Sequence, residues 1–359
     1  MEIRKFLLGC AGLLVSLLAM AQYTVTGTVL DSATREPLPG ASVYCQNTTL
    51  GTVTNRQGVF SLELKSGGYE LILSYTGYQT RTIRLAGEPA APLEILMTKE
   101  DKSLGEVVIR SSSEVADGWE KYGHFFVGHF IGTTPNAAAC VIENPAALHF
   151  YLLKKSNKLR VLATEPLQIS NYALGYRLQY QLDSFIYYYK TDISLYRGHC
   201  LYTEMDSTAD LKRRWAAARR QAYLGSRLHF LRAYYDSTLQ DEGFEVDLLD
   251  EKDPMKFTRV DNPYDSAYYA FTDSTREAEL YFPRKFSVTF LRDKPDPVYV
   301  KEFNLPRNVG TQISYIELRY AVEIQENGYF YDQQDWINQG YWSWKNLADQ
   351  LPYDYQPDY

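Results

Sequence analysis

Two side chains with nucleophilic potential lie close together in the sequence, at Ser226 and His229. A spacing of three residues places side chains on the same face of a helix, where a hydroxyl and an imidazole can touch. A hydrolytic pair also needs an orienting acid and an oxyanion hole, and the sequence has no G-x-S-x-G pattern. We therefore interpret Ser226 as a helix cap and His229 as a packed side chain, and we predict no catalytic residue.

A metal site would need ligands at suitable spacing. Glu120, His124 and His129 lie four and five residues apart, which is poor geometry for ligands on one helical face. None of the five histidines begins an H-E-x-x-H motif or is followed three residues later by Glu. The cysteines form no C-x-x-C pair. We predict neither a metal site nor a cofactor.

Basic residues cluster in one region of a chain whose formal net charge is −7. Arg213, Arg214, Arg219 and Arg220 are candidates for binding an anionic surface or a phosphorylated lipopolysaccharide. The acidic residues between 236 and 253 could instead neutralise these arginines, and we favour this second interpretation. The overall negative charge argues against nucleic acid as the main partner, because phosphate binding requires a basic surface.

The N-terminus has the pattern of a secretory signal. Two basic residues precede an apolar run that ends in Ala19-Met20-Ala21, so cleavage is expected between Ala21 and Gln22. The run is shorter than the roughly 20 residues that span a bilayer. Most of it follows the lipobox-like Leu7-Leu8-Gly9-Cys10, which argues against cleavage there. No later stretch is apolar enough to span a membrane, so we expect an exported protein in the periplasm or at the outer membrane.

Three cysteines would remain after cleavage at Ala21, namely Cys45, Cys140 and Cys200. An odd number leaves at least one thiol unpaired unless two chains are cross-linked. Cys45 lies in an apolar strand pattern, which favours a buried thiol. The sequence does not decide whether Cys140 and Cys200 form a disulfide, and we favour two separate thiols.

Residues 22–99 have the pattern of a small β-sandwich. Short apolar strands alternate with turn signals such as Pro37-Leu38-Pro39-Gly40, and about seven strands are predicted. Gly27-Thr28-Val29-Leu30-Asp31, followed by that turn and by Ser74-Tyr75-Thr76-Gly77-Tyr78, resembles the carboxypeptidase regulatory-like domain. The resemblance implies a transthyretin-like sandwich, common in exported proteins of Bacteroidetes-type bacteria and often an N-terminal extension of TonB-dependent transporters. It implies no peptidase activity.

Residues 100–115 are predicted to be a polar linker that contains a short strand, Leu104–Ile109. The Glu-Val-Val sequence within it resembles a segment that follows this domain in transporters, where it can contact TonB. We favour a strand that ties two domains together.

Residues 116–359 are predicted to form an α+β domain. A helix is expected over 117–131, and strict alternation over Tyr176–Asp183 predicts a strand with one buried face. A basic helical region from Ser207 to about Leu239 should break at Gly225-Ser226, where the apolar stripe changes phase. Further strands are predicted, including Pro297–Lys301 and Tyr315–Ile324. Several motifs, among them Tyr223-Leu224-Gly225-Ser226, resemble exported Bacteroidetes proteins whose C-terminal region is uncharacterised.

Asp-Ser pairs followed by a small residue recur along the chain and resemble the O-glycosylation sequons of exported Bacteroidetes proteins. Ser32, Ser266 and Ser274 are the candidates for modification. Turn and cap chemistry is the alternative explanation, because Asp and Ser hydrogen-bond to nearby backbone amides.

The composition supports the same fold class. The 359 residues suggest two domains, and 31 Tyr, 16 Phe and 5 Trp favour strands. We predict a mainly β protein with some α structure, built from a seven-stranded transthyretin-like β-sandwich and an α+β domain with an antiparallel sheet and a kinked basic helical region. The predicted function is that of a non-catalytic envelope protein that binds or assembles with an envelope protein or a surface glycan. The alternative is an envelope hydrolase whose site no motif reveals.

Overall fold

The computed structural model describes residues 22–100, 113–253 and 256–357. Antiparallel sheets dominate, with helices packed against them, which confirms the predicted mainly β fold class. The predicted signal peptide with Ala21, and the predicted strand Leu104–Ile109, lie outside the described residues, whereas Gln22 opens the first strand. Within the described ranges, no helix has the length and apolar character needed to cross a bilayer.

The N-terminal region is a sandwich of two sheets around one apolar core. Alternation in its first strand buries Val25 and Val29 fully, as the period of two requires. Gly27 lies between them where a Cβ atom would be 2.6 Å from the Leu93 carbonyl oxygen, so a larger residue would push the neighbouring strands away from each other. The seven strands are β1 (Gln22–Asp31), β2 (Ser42–Cys45), β3 (Gly51–Val53), β4 (Val59–Lys65), β5 (Tyr69–Ser74), β6 (Arg81–Leu85) and β7 (Leu93–Met97). The sheet orders are β4-β1-β7 and β3-β2-β5-β6.

A six-stranded antiparallel sheet follows, and helix α1 (Gly118–Phe130) packs on one face of it. The stripe of α1 that faces the sheet carries Phe126 and Phe130, whose rings lie 5.0 Å from those of Phe185 and Tyr180. The strands are β8 (Cys140–Ile142), β9 (Leu148–Leu153), β10 (Lys158–Ala163), β11 (Leu167–Asn171), β12 (Tyr176–Tyr188) and β13 (Ile193–Glu204).

The basic helical region is two helices, α2 (Ala209–Tyr223) and α3 (Arg227–Tyr235). Thr208 caps α2 by accepting a hydrogen bond from the backbone N–H of Leu211. The break occurs at Gly225, as the sequence predicted, because its φ of 69° ends the first helix in a left-handed turn. Ser226 then caps α3.

A third apolar core lies under a five-stranded sheet and a three-stranded sheet near the C-terminus. The predicted strand over Pro297–Lys301 is wrong, because these residues begin a helix that Asp296 caps through the N–H of Val298. The predicted strand Tyr315–Ile324 is two strands separated by a bend. The strands are β14 (Phe244–Leu249), β15 (Phe257–Arg259), β16 (Tyr269–Thr272), β17 (Glu277–Leu280), β18 (Phe286–Phe290), β19 (Gln312–Leu318), β20 (Val322–Ile324) and β21 (Trp336–Gly340), and the helices are α4 (Leu239–Glu242), α5 (Pro297–Glu302) and α6 (Tyr341–Trp344).

The sandwich packs against the rest of the chain through backbone hydrogen bonds. The N–H of Asn47 donates to the carbonyl of Cys200 at 2.7 Å, and the N–H of Tyr202 donates to the carbonyl of Thr48 at 2.9 Å. The loop after β2 thus extends the edge of β13. The tail that follows α6 joins the same place, because the N–H of Tyr353 donates to the carbonyl of Asn47 at 2.8 Å.

Candidate functional site

The Ser226 hydroxyl does not face the imidazole of His229. It accepts a hydrogen bond from the backbone N–H of His229 at 3.1 Å, which is the capping role predicted from the sequence. The serine oxygen is therefore committed to the first turn of α3.

His229 is buried and holds both of its ring nitrogens in hydrogen bonds. Its Nδ1 accepts from the backbone N–H of Gly225 at 3.1 Å, so Nε2 carries the proton and donates to Glu242 at 3.1 Å. Burial, opposed by Glu242, lowers the pKa of His229 below its ordinary value. A neutral imidazole whose lone pair is occupied cannot accept a proton from a nucleophile, so this histidine ties α3 to α4.

The side chains of α1 that were considered as metal ligands are Glu120, His124 and His129. Glu120 and His124 are exposed, while the Nδ1 of His129 lies 2.9 Å from the Phe125 carbonyl, to which it donates. Across the described residues, no group of three His, Cys, Asp or Glu side chains is arranged to hold a metal ion.

The four candidate arginines are not brought together into one anion site. Arg213 pairs with Asp210 on its own helix, and Arg214 and Arg220 are exposed without an ion pair to any described residue. Arg219 is different, because its side chain turns inward against the sheet and is only 11% exposed.

The acidic run 236–253, which we expected to neutralise this cluster, has other partners. Glu242 binds His229, and both Glu245 and Asp247 bind Arg259. Lys212 of α2 pairs instead with Asp206, which lies just before that helix, at 2.6 Å. The expectation failed because the fold separates these acids from the basic helix. Glu245 and Asp247 lie in β14 of the five-stranded sheet, whereas Arg219 of α2 contacts the turn before β12 of the six-stranded sheet.

Arg219 lies at the centre of the most promising site, a junction cleft made of two cavities of about 330 and 220 Å³ that share Glu204 and Arg219 as lining residues. The sandwich, the end of β13, helix α2 and the C-terminal tail all contribute to its walls. The larger cavity is lined by Glu204, Met205, Asp206, Lys212, Trp215 and Arg219, and the smaller by Thr49, Tyr176, Glu204, Ala216, Arg219, Pro352, Asp354, Tyr355 and Gln356.

The guanidinium of Arg219 is held rigidly in this cleft. Its Nε donates to the Leu174 carbonyl at 2.7 Å and its Nη2 to the Gly175 carbonyl at 3.0 Å. Its Nη1 binds Glu204 at 2.9 Å, and the group stacks 3.8 Å above the ring of Tyr176. A planar fork with this many partners keeps one orientation, so Arg219 fixes the floor of the cleft.

The acids of the cleft are also engaged. Asp206 binds Lys212, which lowers the pKa of that carboxyl and keeps it ionised. Asp354 accepts from the backbone N–H and the hydroxyl of Thr49. The sequence pattern indicated Arg219 as a candidate but did not indicate Glu204, Asp206 or Asp354. The signal available was the Glu-Met-Asp sequence between a long strand and a helix cap.

The candidate glycosylation sites lie on different surfaces. Ser32 is half-buried, with its hydroxyl 3.4 Å from that of Thr98. Ser266 and Ser274 are exposed in turns, and Asp265 accepts from the N–H of Ala267 in the first of these. Modification at the three serines stays a prediction.

The three cysteines among the described residues are separate thiols. Cys45 and Cys200 are buried and Cys140 is half-buried. The expectation of a buried thiol at Cys45 agrees with its position in the sandwich core.

The N-terminal sandwich can be assigned to a family. Residues 25–109 match the family model described as CarboxypepD_reg-like domain. The chain carries a CarboxypepD_reg-like domain. This agrees with the resemblance found in the sequence motifs.

Two curated Bacteroidetes relatives are similar to part of the chain. The TonB-dependent receptor SusC of Bacteroides thetaiotaomicron is 36% identical over 106 residues, which are 29% of this chain and 10% of the receptor. The TonB-dependent receptor P39 of Formosa agariphila is 35% identical over 89 residues, which are 25% of this chain and 8% of the receptor. The matches thus span a tenth or less of the length of these receptors.

Two solved structures also show similarity. One is a type II cohesin–X-dockerin complex from Acetivibrio cellulolyticus, at 27% identity over 23% of this chain and 61% of that chain, with a TM-score of 0.19. The other is a putative membrane-associated protein of unknown function from Bacteroides fragilis, at 14% identity over 45% of this chain and 65% of that chain, with a TM-score of 0.18.

Proposed function

We propose that this protein is a non-catalytic component of the cell envelope, in the periplasm or at the outer membrane, that acts by binding or assembly through the junction cleft. The chain has a CarboxypepD_reg-like domain and is similar in part to TonB-dependent receptors of Bacteroidetes, which supports the location. The observation that carries the proposal is the cleft itself, where Arg219 holds a carboxylate and two carbonyls in fixed positions. A preformed cleft loses little entropy when a ligand binds.

The described chemistry favours binding over hydrolysis. Ser226 and His229, the pair that a hydrolase would use, are occupied by helix capping and by Glu242. A general acid at neutral pH needs a raised pKa, whereas that of Asp206 in the cleft is lowered by Lys212.

Site-specific photo-crosslinking in the envelope would test the proposal. Ala216 and Ala217 are consecutive exposed residues of α2, but only Ala216 is among the residues that line the cleft. A benzophenone amino acid replacing each in turn, in the full chain with its signal, gives a matched pair. We expect the chain in the envelope fraction, with an adduct formed from position 216 and a much weaker one from position 217.

Recovery of the chain from the cytosol would refute the proposed location. Equal adducts from both positions, or none from position 216, would refute binding through the cleft.

A further inference from the structure

The junction cleft has an unusual balance of charge, because its cations already have internal partners. Glu204 pairs with Arg219 at 2.9 Å, and Asp206 pairs with Lys212 at 2.6 Å. The third carboxylate, Asp354, is held by the hydroxyl and N–H of Thr49. A ligand therefore meets ion pairs and not an unopposed charge.

These groups line the cavities and keep unused hydrogen-bonding capacity. Arg219 uses three of its five N–H groups, and Lys212 uses one of three in contacts with described residues. Only one oxygen of Glu204 and one of Asp206 is engaged by the described residues. The cleft thus presents donors and acceptors side by side.

This arrangement discriminates among ligand classes. An anion that approached Arg219 or Lys212 would be repelled by the nearby carboxylates of Glu204 and Asp206. A cation that approached those carboxylates would be repelled by the two basic side chains. A neutral polyhydroxyl compound avoids both, because each hydroxyl can accept from a cation and donate to a carboxylate without breaking an ion pair. Such charge-assisted hydrogen bonds are stronger than those between neutral groups.

The dimensions and the aromatic wall fit the same class. The larger cavity, of about 330 Å³, lies at the lower end of the range of roughly 300–1,000 Å³ typical of small-ligand sites, and the smaller, of about 220 Å³, shares two lining residues with it. The half-buried Tyr355 lines the smaller cavity, and a tyrosine ring offers an apolar surface beside polar groups. Sugars have the same combination of C–H faces and hydroxyl edges.

We propose that the junction cleft binds a neutral saccharide through Glu204, Asp206, Lys212 and Arg219. This inference rests on the proposed binding function and specifies its ligand. The exposed Arg214 and Arg220 lie outside the lining of the cleft and make no contribution.

A glycan array tests the inference directly. The purified chain from Gln22 onward is applied to neutral oligosaccharides of glucose, mannose, galactose and xylose, and to sulfated, phosphorylated and uronate-containing glycans. We expect retention on a subset of the neutral glycans that persists at high salt, because a neutral ligand carries no net charge whose attraction to the protein salt could screen.

Variants with little effect on shape make the test specific. Glu204→Gln with Asp206→Asn should weaken retention by tenfold or more. The matched control, Asp210→Asn, alters an exposed ion pair with Arg213 on the same helix but outside the cleft, and should leave retention unchanged. Circular dichroism establishes that each variant is folded.

Three outcomes would overturn the inference: retention of anionic glycans alone, equal retention by the double variant, or no retention of any glycan. Crosslinking from position 216 separates the two proposals. A protein adduct at position 216, together with no retention on the glycan array, would reject the proposed saccharide ligand and keep the proposed binding function. Absence of both would reject both.

Discussion

The carboxylate of Asp354, in the C-terminal tail, accepts hydrogen bonds from the backbone N–H and the hydroxyl of Thr49 in the N-terminal sandwich. Arg232 also binds this tail. Its guanidinium is buried and donates to the carbonyls of Tyr353 at 2.9 Å and Tyr355 at 2.8 Å. The tail is therefore fixed between the sandwich and helix α3, and it forms one wall of the cleft.

Replacing Asp354 with Ala should lower the free energy of unfolding by about 1–3 kcal/mol, because two hydrogen bonds to a charged group are lost. Chemical denaturation of Asp354→Ala, Thr49→Val and the double variant measures the coupling. The two single effects should not add, because each substitution breaks the same contact. Strictly additive effects would show that the contact contributes nothing.

Arg232→Lys should destabilise the protein by about 3 kcal/mol, although the charge is kept. A lysine cannot reproduce the planar fork that binds three carbonyls, and a buried carbonyl without a donor is costly. Arg213→Lys, at an exposed pair, is the control and should change stability by well under 1 kcal/mol. Equal melting temperatures for the two variants would contradict the clamping role of Arg232.

Protonation of His229 should make stability depend on pH in a defined direction. Its folded-state pKa is lowered, so below about pH 6.5, where an unfolded histidine gains a proton, the unfolded chain binds more protons than the native one. The contribution of His229 to the free energy of unfolding is therefore fully present above pH 6.5. It is lost as the pH falls towards the folded-state pKa of this histidine.

The pH effect can be isolated by comparison with His229→Gln. Glu242, Arg292 and Arg232 surround the imidazole, and Asp349 carries a raised pKa that acts in the opposite direction. We expect the difference in unfolding free energy between wild type and His229→Gln to shrink from pH 7 to pH 5. A difference that grows on acidification would show that the native state favours the protonated imidazole.

Cleavage of the chain near Ser111–Ser113 should leave two fragments that stay together. We propose domains at 22–99 and 116–359 with a linker at 100–115, and the junction joins them through Asn47, Thr48 and Thr49. Limited proteolysis followed by size-exclusion chromatography is the measurement. First cleavage within 176–190 would refute the proposed boundary, and separate elution of the fragments would show that the junction contacts are weak.

Intact mass of the protein purified from the envelope tests the glycosylation candidates. Exposed Ser266 and Ser274 are more accessible to a modifying enzyme than half-buried Ser32, so we expect mass increments that disappear in Ser266→Ala or Ser274→Ala before any that depend on Ser32. A mass equal to that of the unmodified chain from Gln22 would remove all three sites.

Local pattern was enough to predict the elements whose residues interact with near neighbours in sequence. Short apolar strands between turn signals predicted the sandwich, and the Gly225-Ser226 pair predicted the break in the helical region. The predicted start at Ser207 is one residue before the observed cap, Thr208. The strand prediction for Pro297–Lys301 was wrong because its β-branched residues suit a strand. The cap at Asp296 and the proline at the first helical position favour a helix instead.

The cleft was beyond prediction for a different reason. Thr49, Glu204 and Asp354 belong to separate segments, and no periodicity links positions so far apart. Arg219 was chosen as a surface cation from its neighbours in sequence. The fold places it under the turn at Leu174-Gly175, where tertiary contacts determine its role.

The long separation between Thr49 and Asp354 has a consequence for biosynthesis. The two residues are 305 positions apart, and a nascent chain emerges N-terminus first, so the sandwich can fold well before the tail exists. During that interval the Asn47–Thr48 loop has neither β13 nor the tail as a partner. Unpaired strand edges invite association between chains, so a chaperone that shields this loop during synthesis and export would raise the yield of native protein.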